Sequence, residues 1–363
     1  MSSIASLAPD GEPADLPEIA TGGGKPSPAM VSGSGSAGSG PWRTAWIELR
    51  RNIWAMTSIV VLAIVVVACL AAPLYANFVA QTDPFVSNLE GTTVVDGKTV
   101  PVMQQSTAGL GLGVVPIGPT WSRHFALGAD QQGRDLASRL LYGGRNTLLV
   151  GAISALLICV FAAVVGLIAG YYGGIVDVGV SRLLDVLWAF PVYLFAICLS
   201  VVVLTRGISV GPLSIGADSL LLPILIITVI YIAYVARPIR GQVLSLRRRE
   251  FVQAAEGIGC SDWRIITRDL LPNILTTIIV FIPLMAAIAM LTESALSFLS
   301  IGVQPPNASW GTIINDGQDL IYTRPMVDIA PGILIAVTVL ALNVLGDGVR
   351  DALDPNAKLR GSV

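Results

Sequence analysis

The 363-residue chain is 53% hydrophobic and 13% charged, with a mean hydropathy of +0.73 and a formal charge of −2. A chain this apolar cannot cover itself with a water-facing surface, so a soluble globular fold is excluded and lipid must solvate it. The single histidine, His124, removes most zinc-site and histidine-based catalytic schemes, and neither a metal site nor a cofactor is expected.

Residues 1–41, ending in VSGSGSAGSG, are rich in Gly, Ser, Pro and Ala and have no apolar periodicity, so they are expected to be a disordered cytoplasmic tail. Their GGGKPS fragment lacks the GxxxxGK[ST] spacing of a phosphate-binding loop. Residues 42–76 carry the first membrane helix, Ile53 to Tyr75, with Arg43, Arg50 and Arg51 holding the N-terminus inside. Its apolar run is too long for a cleavable signal, and no small-residue cleavage site follows. Residues 77–145 form an extracytoplasmic segment in which Asp96-Gly97, between β-branched residues, predicts a hairpin.

Residues 146–346 form a five-helix core with spans at 146–169, 180–204, 219–236, 274–299 and 328–346. That makes six membrane helices in an all-α integral membrane protein. Cys69, Cys159 and Cys198 fall in apolar stretches and Cys260 in a loop, so four reduced thiols are expected. Between the fourth and fifth spans, the 237–272 loop carries Arg237, Arg240, Arg247, Arg248, Arg249, Arg264 and Arg268, against Arg324 alone in the 300–327 loop. Short arginine-rich loops stay in the cytoplasm. Residues 347–363, with Arg350, Lys358 and Arg360, form a cytoplasmic tail, giving both termini inside.

The most informative stretch is EFVQAAEGIGCSDWRIITRDLLPN, residues 250–273. Its pattern predicts two short helices. Phe251, Ala254, Ala255 and Ile258 give the first an apolar, small-residue face suited to close approach by another protein. Gly259 ends it, Ser261 or Asp262 caps the second, and Pro272 closes the unit before the fifth span.

Four further groups stand out. Arg182 and Asp185, at i,i+3, form a candidate pair near the cytoplasmic start of the third span. Glu293, beside Thr292 and Ser294, either lines a pathway, contacts a partner, or is held by an internal hydrogen bond. Asp130, Arg134, Asp135 and Arg139 are expected as an extracytoplasmic charged collar, with Asp135 and Arg139 on one helical face and a binding protein as a possible contact. Pro191, Pro223, Pro283 and Pro331 predict kinks or packing sites.

The 250–273 stretch resembles the cytoplasmic coupling loop of ABC importer permeases, E-A-A-x3-G-x9-I-x-L-P, through Ala254, Ala255, Gly259, Leu271 and Pro272. Gln253 replaces the acidic residue and Asp269 stands where the pattern has Ile. LGADQQGRDLASRLLYGGRNTLLVG (127–151), LLDVLWAFPVYLFAI (183–197) and LTESALSFLSIGVQPPNASWG (291–311) extend the likeness to the dipeptide/oligopeptide/nickel family, C-type subunit, over most of 42–358. Ser300 stands where glycine is more usual.

The resemblance implies a type I ABC importer permease fold in the bacterial cytoplasmic membrane. It further implies a non-catalytic subunit, two ATPase subunits or one two-headed ATPase, and a second permease that shares the pathway. An extracytoplasmic solute-binding protein would deliver the solute. The family's coupling residues would here be Gln253, Ala254, Ala255, Glu256, Gly259, Leu271 and Pro272. Di- or oligopeptides lead as solute, with nickel or another small solute as alternatives. A stand-alone secondary transporter is disfavoured, since neither a clear internal repeat nor a midplane acidic relay is present.

Overall fold

Asn52 divides the apolar N-terminal region into two helices. Its backbone is extended (φ −81°, ψ 105°) and its side chain accepts hydrogen bonds from the N–H groups of Trp54 and Ala55, at 3.0 and 3.2 Å. Helix α1 (Pro41–Arg51) therefore stops there and α2 (Ile53–Leu70) starts afresh as the first span. The computed structural model describes residues 41–95, 97–106, 113–206, 208–210, 213–216 and 218–353. The predicted tail through Gly40, Asp96 of the hairpin, and Lys358 and Arg360 lie outside them.

Beyond α2 the chain continues through Ala72–Leu74 and a wide π-turn, Tyr75–Ala80, that Gln81 ends with φ +51°. The predicted hairpin is present as β1 (Thr92–Val95) paired with β2 (Lys98–Pro101). A second hairpin, β3 (Met103–Gln105) with β4 (Val114–Pro116), follows it. Val102, Ile117, Phe125 and Ala129 form a small core beneath them. Arg324 Nε, 2.6 Å from the Pro116 carbonyl, ties this cap to the outer end of the bundle.

Helix α3 (Leu136–Tyr172) begins well before the predicted boundary at 146, because Asp135 caps it and its first turns contain Arg139 and Arg145, which hydropathy discounts. Its 37 residues span about 55 Å, far more than a bilayer core, so its outer end projects into the extracytoplasmic layer. The inner half packs closely on α6 (Leu221–Leu246) through glycines. A Cβ on Gly166 would stand 2.7 Å from Ile239 Cγ2, and one on Gly170 2.7 Å from Val243 Cβ. Small residues at i,i+4 let two helices approach where lipid supplies no hydrophobic drive.

The third span, expected over 180–204 with a kink or packing site at Pro191, is broken more sharply than a kink. It is two helices, α4 (Gly174–Ala189) and α5 (Val192–Arg206), bent by 92°. Pro191 is the cause: the residue before a proline is driven out of the helical region, and Phe190 is extended at φ −89°, ψ 139°. A short hairpin, β5 (Ile208–Val210) with β6 (Leu213–Ile215), then leads to α6.

After the short helix α7 (Glu250–Gly257), α8 runs from Asp262 to Phe298. The second short helix expected there is not separate. It continues into the fifth span through a π-turn at Ile265–Leu270, just before Pro272, which has no N–H for an ordinary helical bond. Helices α9 (Trp310–Gly317) and α10 (Met326–Leu353) are the last of the described elements. Among the described residues, five helices are long and apolar enough to cross a membrane, or six if the bent pair is counted as one broken span.

Candidate functional site: the coupling loop and the outer polar cluster

The cytoplasmic loop is built by a glycine stop. Gly259 lies at φ +83°, its N–H bonds the Glu256 carbonyl at 3.0 Å, and the Cys260 N–H bonds the Ala255 carbonyl at 3.0 Å. This pair of bonds is the Schellman arrangement, which requires a left-handed residue where Gly259 stands. Val252, Ile265 and Leu270 are fully buried and anchor the loop to the bundle. The predicted face points outward: Ile258 is 82% exposed, Phe251 and Ala254 are exposed, and Ala255 is half-buried. Trp263, 75% exposed, joins it and was not anticipated as part of that surface.

Ser261 occupies the cap position of α8, but its side chain makes no capping bond. Asp262 instead accepts a 2.9 Å hydrogen bond from Tyr171 Oη, which fastens the base of the loop to α3. Arg247 lies over the Tyr171 ring at 5.7 Å and donates to the Tyr172 carbonyl at 3.3 Å. Gln253 and Glu256 remain exposed, Leu271 is half-buried and Pro272 exposed.

The expected Arg182–Asp185 pair does not form. Asp185 pairs with Arg237 across the helices at 2.8 Å, while Arg240 pairs with Asp177, and Arg182 is exposed. Cross-helix partners win because α4 turns its acidic residues onto α6. Arg237 also covers the Trp188 ring at 4.4 Å, and that ring stacks on Tyr234 at 5.8 Å. Trp188 and Tyr234, together with Phe190, Pro191 and Tyr231, border a cleft of about 330 Å³ at the break in the third span.

On the extracytoplasmic side the predicted collar is not a solvated face. Asp130, Arg134, Asp135 and Arg139 are all buried, at 1%, 9%, 0% and 3% exposure. Asp130 sits 2.7 Å from Arg134 and 3.1 Å from Arg139, and Asp316 of α9 lies 3.1 Å from both arginines. Asp135 does not meet Arg139 on one helical face. It is the N-cap of α3, accepting from the Ser138 N–H at 2.7 Å and the Ser138 hydroxyl at 2.6 Å. Burial pushes the Asp135 and Asp316 carboxyls above the ordinary range, and for Asp316 the two arginines oppose that push. Asp316 was missed in the sequence because nothing near 316 marks its tie to residues 180 positions earlier.

Glu293 is completely buried. Ser297 Oγ donates to it at 2.6 Å and Ser294 Oγ at 3.4 Å, so an internal hydrogen-bonded position is what the geometry supports. Helix α9 closes over it, with the Trp310 N–H donating to Thr147 Oγ1 at 3.1 Å and its indole to the Leu140 carbonyl at 3.0 Å. Beside this nest an outer cavity of about 560 Å³ is bordered by Arg134, Arg139, Ser297, Asn307 and Asp316.

A bundle of this kind, with long apolar helices and an arginine-rich loop that projects an exposed apolar face on one side, defines a polytopic membrane protein. The chain belongs to the binding-protein-dependent transport system inner membrane components, whose family pattern matches residues 162–359. The N-terminal transmembrane domain of oligopeptide transport permease C matches residues 40–90. The dipeptide transport system permease protein of Alkalihalophilus pseudofirmus is 33% identical over 88% of this chain and 91% of its own. The oligopeptide transport system permease protein of Haemophilus influenzae is 31% identical over 86% and 88%. A glutathione transport system permease protein of Pectobacterium atrosepticum is 38% identical over 66% and 75%. An inward-facing structure of the MetNI methionine ABC transporter aligns over 59% of this chain and 96% of that one, at 18% identity and a TM-score of 0.47.

The protein is thus an inner-membrane permease subunit of a binding-protein-dependent ABC transport system, and such a system comprises an ATPase and a binding protein.

Proposed function

We propose that this chain pairs with a second permease to form the pathway through which an importer takes up di- or oligopeptides. In this reading it carries no catalysis of its own, and ATP is hydrolysed by the partner subunits. The similarity to dipeptide and oligopeptide permeases along nearly the whole chain carries the solute assignment. Support for coupling comes from α7 and its cap, where Phe251, Ala254 and Ile258 face outward at the tip of a loop clamped by Tyr171–Asp262. Movement of the ATPase against this surface would be passed to α3 and α8 as a rigid-body displacement.

Within this proposal residues 42–76 form the N-terminal span, 77–145 the extracytoplasmic segment, 146–346 the core and 347–363 a cytoplasmic tail. The test is uptake of labelled dipeptide, longer peptide and glutathione by cells lacking the chain, with and without restored wild type. ATP-dependent peptide uptake that returns with the wild type is the expected result. Uptake of none of these, or uptake that survives ATP depletion, would overturn the proposal.

A further inference from the structure

We infer that α1 is a membrane-surface helix whose exposed face binds anionic lipid headgroups of the cytoplasmic leaflet. The helix is set at that depth by its neighbour, since only Asn52 separates it from the first span. It does not simply prolong α2. Leu49 and Ala55 would lie about 9 Å apart along a straight helix, yet both sit against Gly348 of α10. The chain therefore folds over at Asn52, leaving Leu49 towards the bundle.

The opposite face has an unusual composition. At 100° per residue, Trp42, Arg43, Trp46, Ile47, Arg50 and Arg51 share one half of the helix, and all six are exposed. Trp42 is 52% and Trp46 49% exposed, and the Arg50 guanidinium lies 4.9 Å over the Trp46 ring. A water-facing surface has no use for two tryptophans, and a protein interior has no place for three arginines on one half of a helix whose single acid, Glu48, lies on the other half. Indole rings seat at the headgroup level, and arginines beside them meet lipid phosphates. Charge complementarity selects anionic lipid. The chain's own acidic stretch, Asp10, Glu12, Asp15 and Glu18, is the competing occupant, but it has no aromatic residue and only Leu16 and Ile19 as aliphatic bulk to cover two indoles.

The experiment places the full-length chain in nanodiscs of brominated phosphatidylcholine, with or without brominated phosphatidylglycerol. Tryptophan fluorescence is compared with that of W42F/W46F, so that the difference reports on these two rings. Quenching of Trp42 and Trp46 in both discs, stronger with phosphatidylglycerol, is expected. In R43Q/R50Q/R51Q the preference for the anionic lipid should fall, by roughly five-fold for each arginine removed at low salt. Equal quenching with and without the anionic lipid would overturn the inference. So would quenching that appears only after residues 1–40 are deleted, which would make the acidic tail the occupant.

Discussion

Gly259 stands at φ +83° with nothing within 4 Å of where a Cβ would be, so backbone conformation, and not crowding, demands glycine. Gly259→Val is expected to leave insertion and subunit assembly near normal while cutting ATP-coupled uptake at least several-fold. Uptake assays on matched amounts of assembled complex check this, and full transport would remove the coupling role proposed for the loop. Arg139 poses the opposite case, a buried cation held by two carboxylates. Arg139→Gln strips Asp130 and Asp316 of a partner and should cost about 3–5 kcal/mol, visible as a lowered unfolding temperature in detergent. Asp135 is different again, because burial raises its folded-state pKa above the ordinary 3.8. The stability it contributes is full below that value and is lost as pH rises through the folded pKa. Asp135→Asn, an equally good cap, should therefore lack this loss, and melting curves across the acidic range would show wild type falling relative to the variant.

Among the elements, the broken third span invites the most direct test. Val178 and Val202 are both exposed, one on each arm of the 92° bend. Spin labels there should sit about 25 Å apart, against about 36 Å if the helix were straight. Pro191→Ala restores an N–H and frees Phe190 to turn helical, so a longer distance should be populated. The two cross-helix ion pairs on α4 resist that change. Hydropathy located the five unbroken membrane helices and the bent pair because lipid imposes length and apolarity on each one. The break was harder to read: Pro191 marked a kink, but the size of the bend depends on what α4 finds on α6, which only the folded chain contains. Charge was misread for a similar reason. Asp130, Arg134 and Arg139 look solvated in sequence, and only the return of α9 with Asp316 buries them. The cytoplasmic loop was legible because its design is local, a small-residue helix stopped by one glycine within ten residues of Glu250.

At the scale of the whole molecule, two polar layers lie at opposite ends of an apolar bundle. The outer one joins the extracytoplasmic cap, α3 and α9 through Asp130, Arg134, Arg139 and Asp316. The inner one joins α4, α6 and the base of the loop through Asp177–Arg240, Asp185–Arg237 and Tyr171–Asp262. Tyr171→Phe removes only the last of these bonds and should cost about 1 kcal/mol of stability. If the loop and α3 move together, the same change should lower transport per assembled complex further than that small loss of stability explains, which uptake and ATPase rates measured side by side would separate.

The π-turn at Ile265–Leu270 holds one residue more than a regular helix of the same rise. Loss of a single residue inside it would let the helix close up into ordinary turns, with both flanks keeping their phase. The same loss higher in α8, between Leu271 and Met290, would rotate everything beyond it by about 100° and swing Glu293 out of its buried position. The helix thus carries its spare residue at the cytoplasmic end, where a change of length alters the reach of the loop without disturbing the sealed outer half.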